Sequence, residues 1–154
     1  MNIRIVCLSL VLAGIAGCGG TDAPIDNRDL AAGVPDADVE ILEVTATGVQ
    51  HENSRFLKSV IRDDDKLVLV DFWAAWCGPC KAMNPELETL KKRWGDKLVI
   101  LKIDIDAPEN RQLSMHMQIS SIPILLICRN GKVLNGLMGG YTADELDQEL
   151  RFVQ

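Results

Sequence analysis

Two cysteines, Cys77 and Cys80, close the stretch Val68-Leu-Val-Asp-Phe-Trp-Ala-Ala-Trp-Cys-Gly-Pro-Cys80. A run of strand-type apolar residues, broken once by Asp71, delivers them where a helical pattern begins. A thiolate is the nucleophile of disulfide exchange, and the first turn of a helix offers unpaired N–H groups and a positive dipole end that favour a negative sulfur. Cys77 falls at that end. Pro79 carries no N–H to leave unsatisfied and pre-sets a helical φ, while Gly78 keeps the turn small and accessible. Cys80, three residues on, shares the helical face of Cys77, so the pair can close a disulfide and Cys80 can attack a mixed disulfide formed at Cys77.

Two other uses of this spacing exist, half of a zinc site and an inert structural disulfide. Zinc needs a second ligand pair, and Cys7, Cys18, Cys128, His51 and His116 stand singly along the chain. A redox-active pair is the reading that a strand, C-x-x-C and helix favour. Met115-His116-Met117 suggests copper, but neighbouring side chains on a helix or turn do not converge on one ion. No metal site is expected. His51 reads as a solvated loop residue, and Cys128 as a small buried hydrophobe.

The elements that must position the pair fit one domain. The chain has 154 residues, 47% of them hydrophobic, which suffices for one compact core. Its net charge is -6, so nucleic acid is not an expected partner. Met1 to Arg4 followed by the apolar Ile5 to Ile15 reads as a secretory signal, too short to remain as a spanning helix. Its end, Ile15-Ala16-Gly17-Cys18, resembles the bacterial lipobox. That resemblance implies removal of residues 1–17, lipidation of Cys18 and attachment to a lipid bilayer. Gly19 is not the aspartate that retains enterobacterial lipoproteins at the inner membrane, so an outer-membrane anchor is expected if the source has two membranes. Residues 18–38, punctuated by glycine and proline in an acidic tract, read as the lipidated cysteine and its tether. The folded domain is expected over 39–154.

Within that domain, Val39 to Val44 alternates apolar and acidic residues and predicts a half-buried strand. Asn53 or Ser54 can cap a helix that presents Phe56, Leu57, Val60 and Ile61. Leu67 to Phe72 and Leu98 to Ile105 are apolar on both faces, as buried parallel strands are. The helix after Cys77 places Met83, Leu87, Leu90 and Trp94 on one face, with Pro85 predicting a kink. A short helix or turn is expected around Asn110 to Met117. Ile124 to Cys128 and Val133 to Met138 flank Arg129-Asn-Gly-Lys132, a hairpin signal, and Thr142-Ala-Asp-Glu145 is a capping box for the last helix. The order predicts an α/β domain with a mixed central sheet of about five strands and helices on both faces.

Asp71 in so apolar a strand is either solvated at the strand end or buried for a purpose, and its surroundings in sequence do not choose between these. Ile122-Pro123 is trans on general grounds. Gly139 is, on its own, a strand-end glycine.

Trp76-Cys-Gly-Pro-Cys-Lys81 matches the central motif of the thioredoxin family residue for residue, and the element order from Val39 to Gln154 is similar to that family's fold. The resemblance implies a protein-disulfide oxidoreductase whose only redox group is the Cys77–Cys80 disulfide, with no external cofactor. It places Asp71 beneath the pair as the group that exchanges a proton with Cys80, and pairs it with Lys102. It makes Ile122-Pro123 a cis bond beside the cysteines, with Trp76, Gly78, Pro79, Ile122, Pro123 and Gly139 forming the surface on which an extended substrate segment docks. Ala75, Ile124 and Met117 depart from residues common in the family, and these changes bear on substrate preference. Gly-Pro between the cysteines is similar to the reducing members. Outside the cytoplasm a reductase needs a transmembrane thiol electron donor, so the expected partners are that donor and protein disulfides, met as a monomer. An oxidase or isomerase, a cytochrome c maturation thioredoxin and a non-enzymatic peptide-binding module are the alternatives.

Overall fold

The computed structural model describes residues 29–34, 41–45, 48–52, 54–63 and 65–154. The signal, Cys18, most of the tether, residues 39–40 and the candidate cap Asn53 lie outside the described residues. Among the described residues, six strands, β1 (Ile41–Thr45), β2 (Gly48–Glu52), β3 (Leu67–Trp73), β4 (Leu98–Asp104), β5 (Ile124–Arg129) and β6 (Lys132–Met138), form one sheet in the order β2-β1-β4-β3-β5-β6. β3 and β4 run parallel, and every other neighbouring pair is antiparallel. The sheet is the expected mixed sheet of about five strands, with β2 folding back on β1 as a sixth. Its sequence, Gly-Val-Gln-His-Glu, is too polar to announce a strand, and it places His51 in the sheet rather than in a loop.

Among the described residues, six α-helices accompany the sheet: α1 (Leu30–Gly33), α2 (Ser54–Val60), α3 (Gly78–Ala82), α4 (Asn84–Trp94), α5 (Arg111–His116) and α6 (Ala143–Phe152). The period-two alternation of strands divides β3 between two cores. Leu67 and Leu69 pack with Leu87, Leu90, Leu146 and Leu150 of α4 and α6. Val68, Val70 and Phe72 pack on the other face with Leu57, Ile61 and Leu113, around α2 and α5. Asp71 therefore falls on the α4 side, in phase with two buried leucines. Each fully buried Leu or Phe contributes about 1.5–3 kcal/mol relative to exposure, so both faces hold the sheet firmly.

Two differences from the sequence reading have clear causes. Leu30, Ala31 and Val34, assigned above to the tether, are buried in the same core as Leu57, Cys128 and Val133. Asp29 caps their helical turn by accepting from the Ala32 N–H and bridges to Lys132, so packed chain begins at least ten residues before residue 39. The signal was weak because one turn shows no periodicity. The second difference is at Pro85, where the expected kinked helix is two helices meeting at Met83. Proline has no N–H for the Lys81 carbonyl and its ring crowds that carbonyl, which ends α3 one turn upstream. The Asn130-Gly131 hairpin turn (φ 51° and 75°) and the Thr142–Glu145 capping box form where the sequence places them.

Candidate active site

Because β3 and β4 are parallel and β5 is antiparallel to β3, the carboxyl ends of β3 and β4 and the start of β5 meet at one end of the sheet. Cys77 follows β3 by four residues at the N-cap of α3, where its Sγ accepts the Cys80 N–H at 3.2 Å. The two cysteines are joined as a disulfide. Cys77 is 4% exposed and Cys80 1%, while Trp76, Gly78 and Pro79 around them are exposed. The nucleophile is thus more shielded than a small glycine turn suggests, and what it offers a partner is one edge of Cys77. Asp106, in the turn that follows β4, accepts a 2.7 Å bond from the Trp76 indole N–H and fixes the ring across this end of the sheet.

Asp71 is fully buried, with Oδ2 2.8 Å from the Lys102 ammonium, its register partner on β4. Burial pushes its carboxyl above the usual range, and the charge and hydrogen bond of Lys102 oppose this without cancelling it. Oδ1 has no hydrogen-bond partner among the described residues. The ammonium also donates to Asn84 Oδ1 at 2.9 Å and lies 4.9 Å from the centroid of the Trp73 ring. A cavity of about 170 Å³ opens beside it, lined by Leu42, Val44, Trp73, Asn84, Leu87, Glu88 and Lys102. The structure thus chooses between the two readings of Asp71: it is buried and paired.

The Ile122-Pro123 bond is cis, contrary to the general expectation for an X-Pro bond and as the family resemblance implies. Pro123 is buried at the start of β5 with Ile122 half-buried, and its carbonyl accepts the Gly139 N–H at 2.9 Å. Gly139 has φ 97°, where a side chain is strained, although a Cβ there would meet no atom within 4 Å. Its glycine is required by backbone conformation and not by crowding.

A model of the family described as thioredoxin matches residues 47–151. The chain belongs to the thioredoxin family. It is 46% identical over 84 residues to thioredoxin of Bacillus subtilis, spanning 54% of this chain and 78% of that one. Thioredoxin of Alicyclobacillus acidocaldarius is 41% identical over 86 residues, 56% of this chain and 80% of that one. The oxidised crystal structure of mitochondrial thioredoxin 3 from Saccharomyces cerevisiae superposes with a TM-score of 0.55 at 23% identity, covering 64% of this chain and 88% of the other. That likeness bears on the fold alone. The sheet and its helices are a thioredoxin fold, and the chain is a thiol-disulfide oxidoreductase acting through the Cys77–Cys80 disulfide on protein disulfides.

The structure gathers Cys77, Cys80, Trp76, Gly78, Pro79, Asp71 and Lys102 around the ends of β3 and β4, and joins Pro123 to Gly139 across the start of β5 and the end of β6. Cys128 lies at the other end of β5, opposite Val68, fully buried, with its thiol pushed up by desolvation. Two residues at this site escaped the sequence reading, Asn84 and Asp106. Asp106 was accessible to inference, since it lies just beyond a strand parallel to the one that delivers the cysteines. Asn84 carried no signal, being one polar residue among several at a helix start.

Proposed function

We propose that this thioredoxin works outside the cytoplasm, held to a membrane through lipidated Cys18, as a reductase of protein disulfides. The observation that carries the chemistry is the Cys77–Cys80 disulfide just past the end of β3, in the segment that follows a buried Asp71 tied to Lys102. In the reducing direction the Cys77 thiolate attacks one sulfur of the substrate disulfide. A Cys77–substrate disulfide forms and the second substrate sulfur leaves as a thiolate that takes up a proton. Cys80 then yields its proton to Asp71 and attacks the Cys77 sulfur, closing the Cys77–Cys80 disulfide and releasing the other substrate thiolate. Two electrons have passed from the dithiol to the substrate. The raised proton affinity of Asp71 suits a base that must take up and release a proton near neutrality.

Trp76, Gly78, Pro79, Ile122, Pro123 and Gly139 serve as the uncharged docking surface for an extended substrate segment. Gly-Pro between the cysteines supports the reducing direction, and the lipobox-like Ile15-Ala-Gly-Cys18 supports the anchor. Reduction in an oxidising compartment requires electrons from a transmembrane thiol donor. The test is the redox state of Cys77 and Cys80 in native membranes, by acid quench and mass-tagging of free thiols in a Cys128→Ser background. A mostly reduced pair is expected. A pair that stays oxidised while the donor is active would overturn the reductase direction, and soluble release of wild-type protein identical to that of Cys18→Ser would overturn the anchor.

A further inference from the structure

The geometry points to Asn84 as a positioning residue for the redox reaction: its amide oxygen holds the Lys102 ammonium on one oxygen of Asp71 and keeps it from turning toward Glu88 across the adjoining cavity. This rests on the assignment of Asp71 as proton acceptor for Cys80. An ammonium has three donors. Here one goes to Asp71 Oδ2 at 2.8 Å and one to Asn84 Oδ1 at 2.9 Å, and the charge also lies 4.9 Å from the centre of the Trp73 ring. The arrangement is directional, because Asp71 Oδ1 is left without a partner among the described residues and is the oxygen open to a proton.

Asn84 is the first residue of α4, and no side chain caps that helix, so its amide is free to serve the ammonium. Without that acceptor, the four-carbon stem of Lys102 can follow the cavity wall to Glu88, one turn along the same helix and exposed at the cavity edge. The charged groups around Asp71 are few. β4 supplies Lys102, the charge that acts on Asp71, and α4 brings Glu88 to the cavity, while the one charged side chain of α3, Lys81, is exposed; β1 faces the cavity with Leu42 and Val44, and β5 places Leu125 beside Asp71. Glu43 of β1 acts on Lys91, farther along α4. Movement of Lys102 therefore removes the one cation beside Asp71 among the described residues and strengthens its hold on a proton.

The test uses the full chain with ¹³C-labelled aspartate carboxyls, the Asp71 resonance being assigned with Asp71→Asn. Asn84→Leu keeps the shape of the side chain, loses the acceptor and lies on the surface, so the fold survives it. The Asp71 titration is expected to move to higher pH, and the rate of mixed-disulfide resolution against pH to move with it. Resolution at neutral pH should slow by roughly three- to fivefold, the scale of one partly exposed hydrogen bond to a charged group, with KM for a disulfide substrate unchanged. Glu88→Gln should lower the titration more in the Asn84→Leu background than in the wild type. An Asp71 titration that stays in place or moves down in Asn84→Leu overturns the role of Asn84, and additive effects of the two substitutions overturn the part given to Glu88. If the titration moves up while the resolution profile does not, Asn84 positions Lys102 as inferred and it is the assignment of Asp71 as base for Cys80 that falls.

Discussion

The two ends of β3 and β5 differ in what they do with a cysteine. At one end, where Phe72 pairs with Ile124, the chain leaves the sheet into an exposed turn and sets Cys77 at a helix start, with a buried carboxylate and ammonium below. At the other, where Val68 pairs with Cys128, the same strands are sealed by α1, α2 and the Asn130-Gly131 hairpin, and the thiol is fully buried among apolar side chains. Cys128 sits where desolvation penalises the thiolate, whereas Cys77 receives a backbone N–H on its sulfur. Reactivity is therefore decided by position along the strand and not by the residue type.

The largest test of that contrast is at the open end. Cys77→Ser should abolish reduction of a protein disulfide such as insulin, because the nucleophile is gone, while Cys80→Ser should accumulate mixed disulfides at Cys77 that resolve only with added thiol. Trapping on Cys128 instead would erase the distinction between the ends.

At the closed end the effects should fall on stability alone. Leu30→Ala removes a fully buried side chain and should cost about 2–3 kcal/mol in urea unfolding, at the low end for such a truncation because a single turn can undock locally. Cys128→Ser leaves a hydroxyl without a partner in an apolar site and should cost about 1–3 kcal/mol. Turnover at saturating substrate should be unchanged in both. A drop in turnover with Leu30→Ala would mean that the two ends are coupled through the sheet.

Legibility in the sequence follows the same division. The open end was readable because its constraints are local: C-x-x-C, the proline at the helix start and the strand before them are contiguous. Asp71 could be singled out but not placed, since a carboxylate in a strand is buried or solvated according to neighbours that are distant in sequence. The cis bond at Pro123 came only through the family resemblance. At the closed end the hairpin and the capping box were plain, each being a four-residue pattern with its own hydrogen bonds. The docking of Leu30 and Val34 depends on a gap between α2, α5 and the hairpin that no local pattern describes. The same holds for Asn84 and Asp106, whose partners Lys102 and Trp76 are 18 and 30 residues away.

A pH dependence of stability separates the open end from an ordinary core. The Asp71 carboxyl is held above its ordinary value of 3.8, chiefly by burial. Between that ordinary value and the raised folded one, the native state keeps a proton that the unfolded chain has lost, so stability falls as pH rises through the window. Below the ordinary value both states are protonated and the penalty is absent. Asp71→Asn has no proton to lose and keeps an acceptor for Lys102, so its stability relative to the wild type should rise with pH across this window, by no more than about 1.4 kcal/mol per pH unit. The two proteins should differ least at the acid end. Urea midpoints from acid to neutral pH measure it, and a difference independent of pH would show that Lys102 fully offsets the burial of Asp71. With the predicted slope, the variant is more stable at neutral pH than at acid pH relative to the wild type, and slower to resolve mixed disulfides there. A carboxylate that lowers stability where the protein works is then retained for proton transfer, which is the difference between Asp71 and the leucines that precede it on the same face of β3.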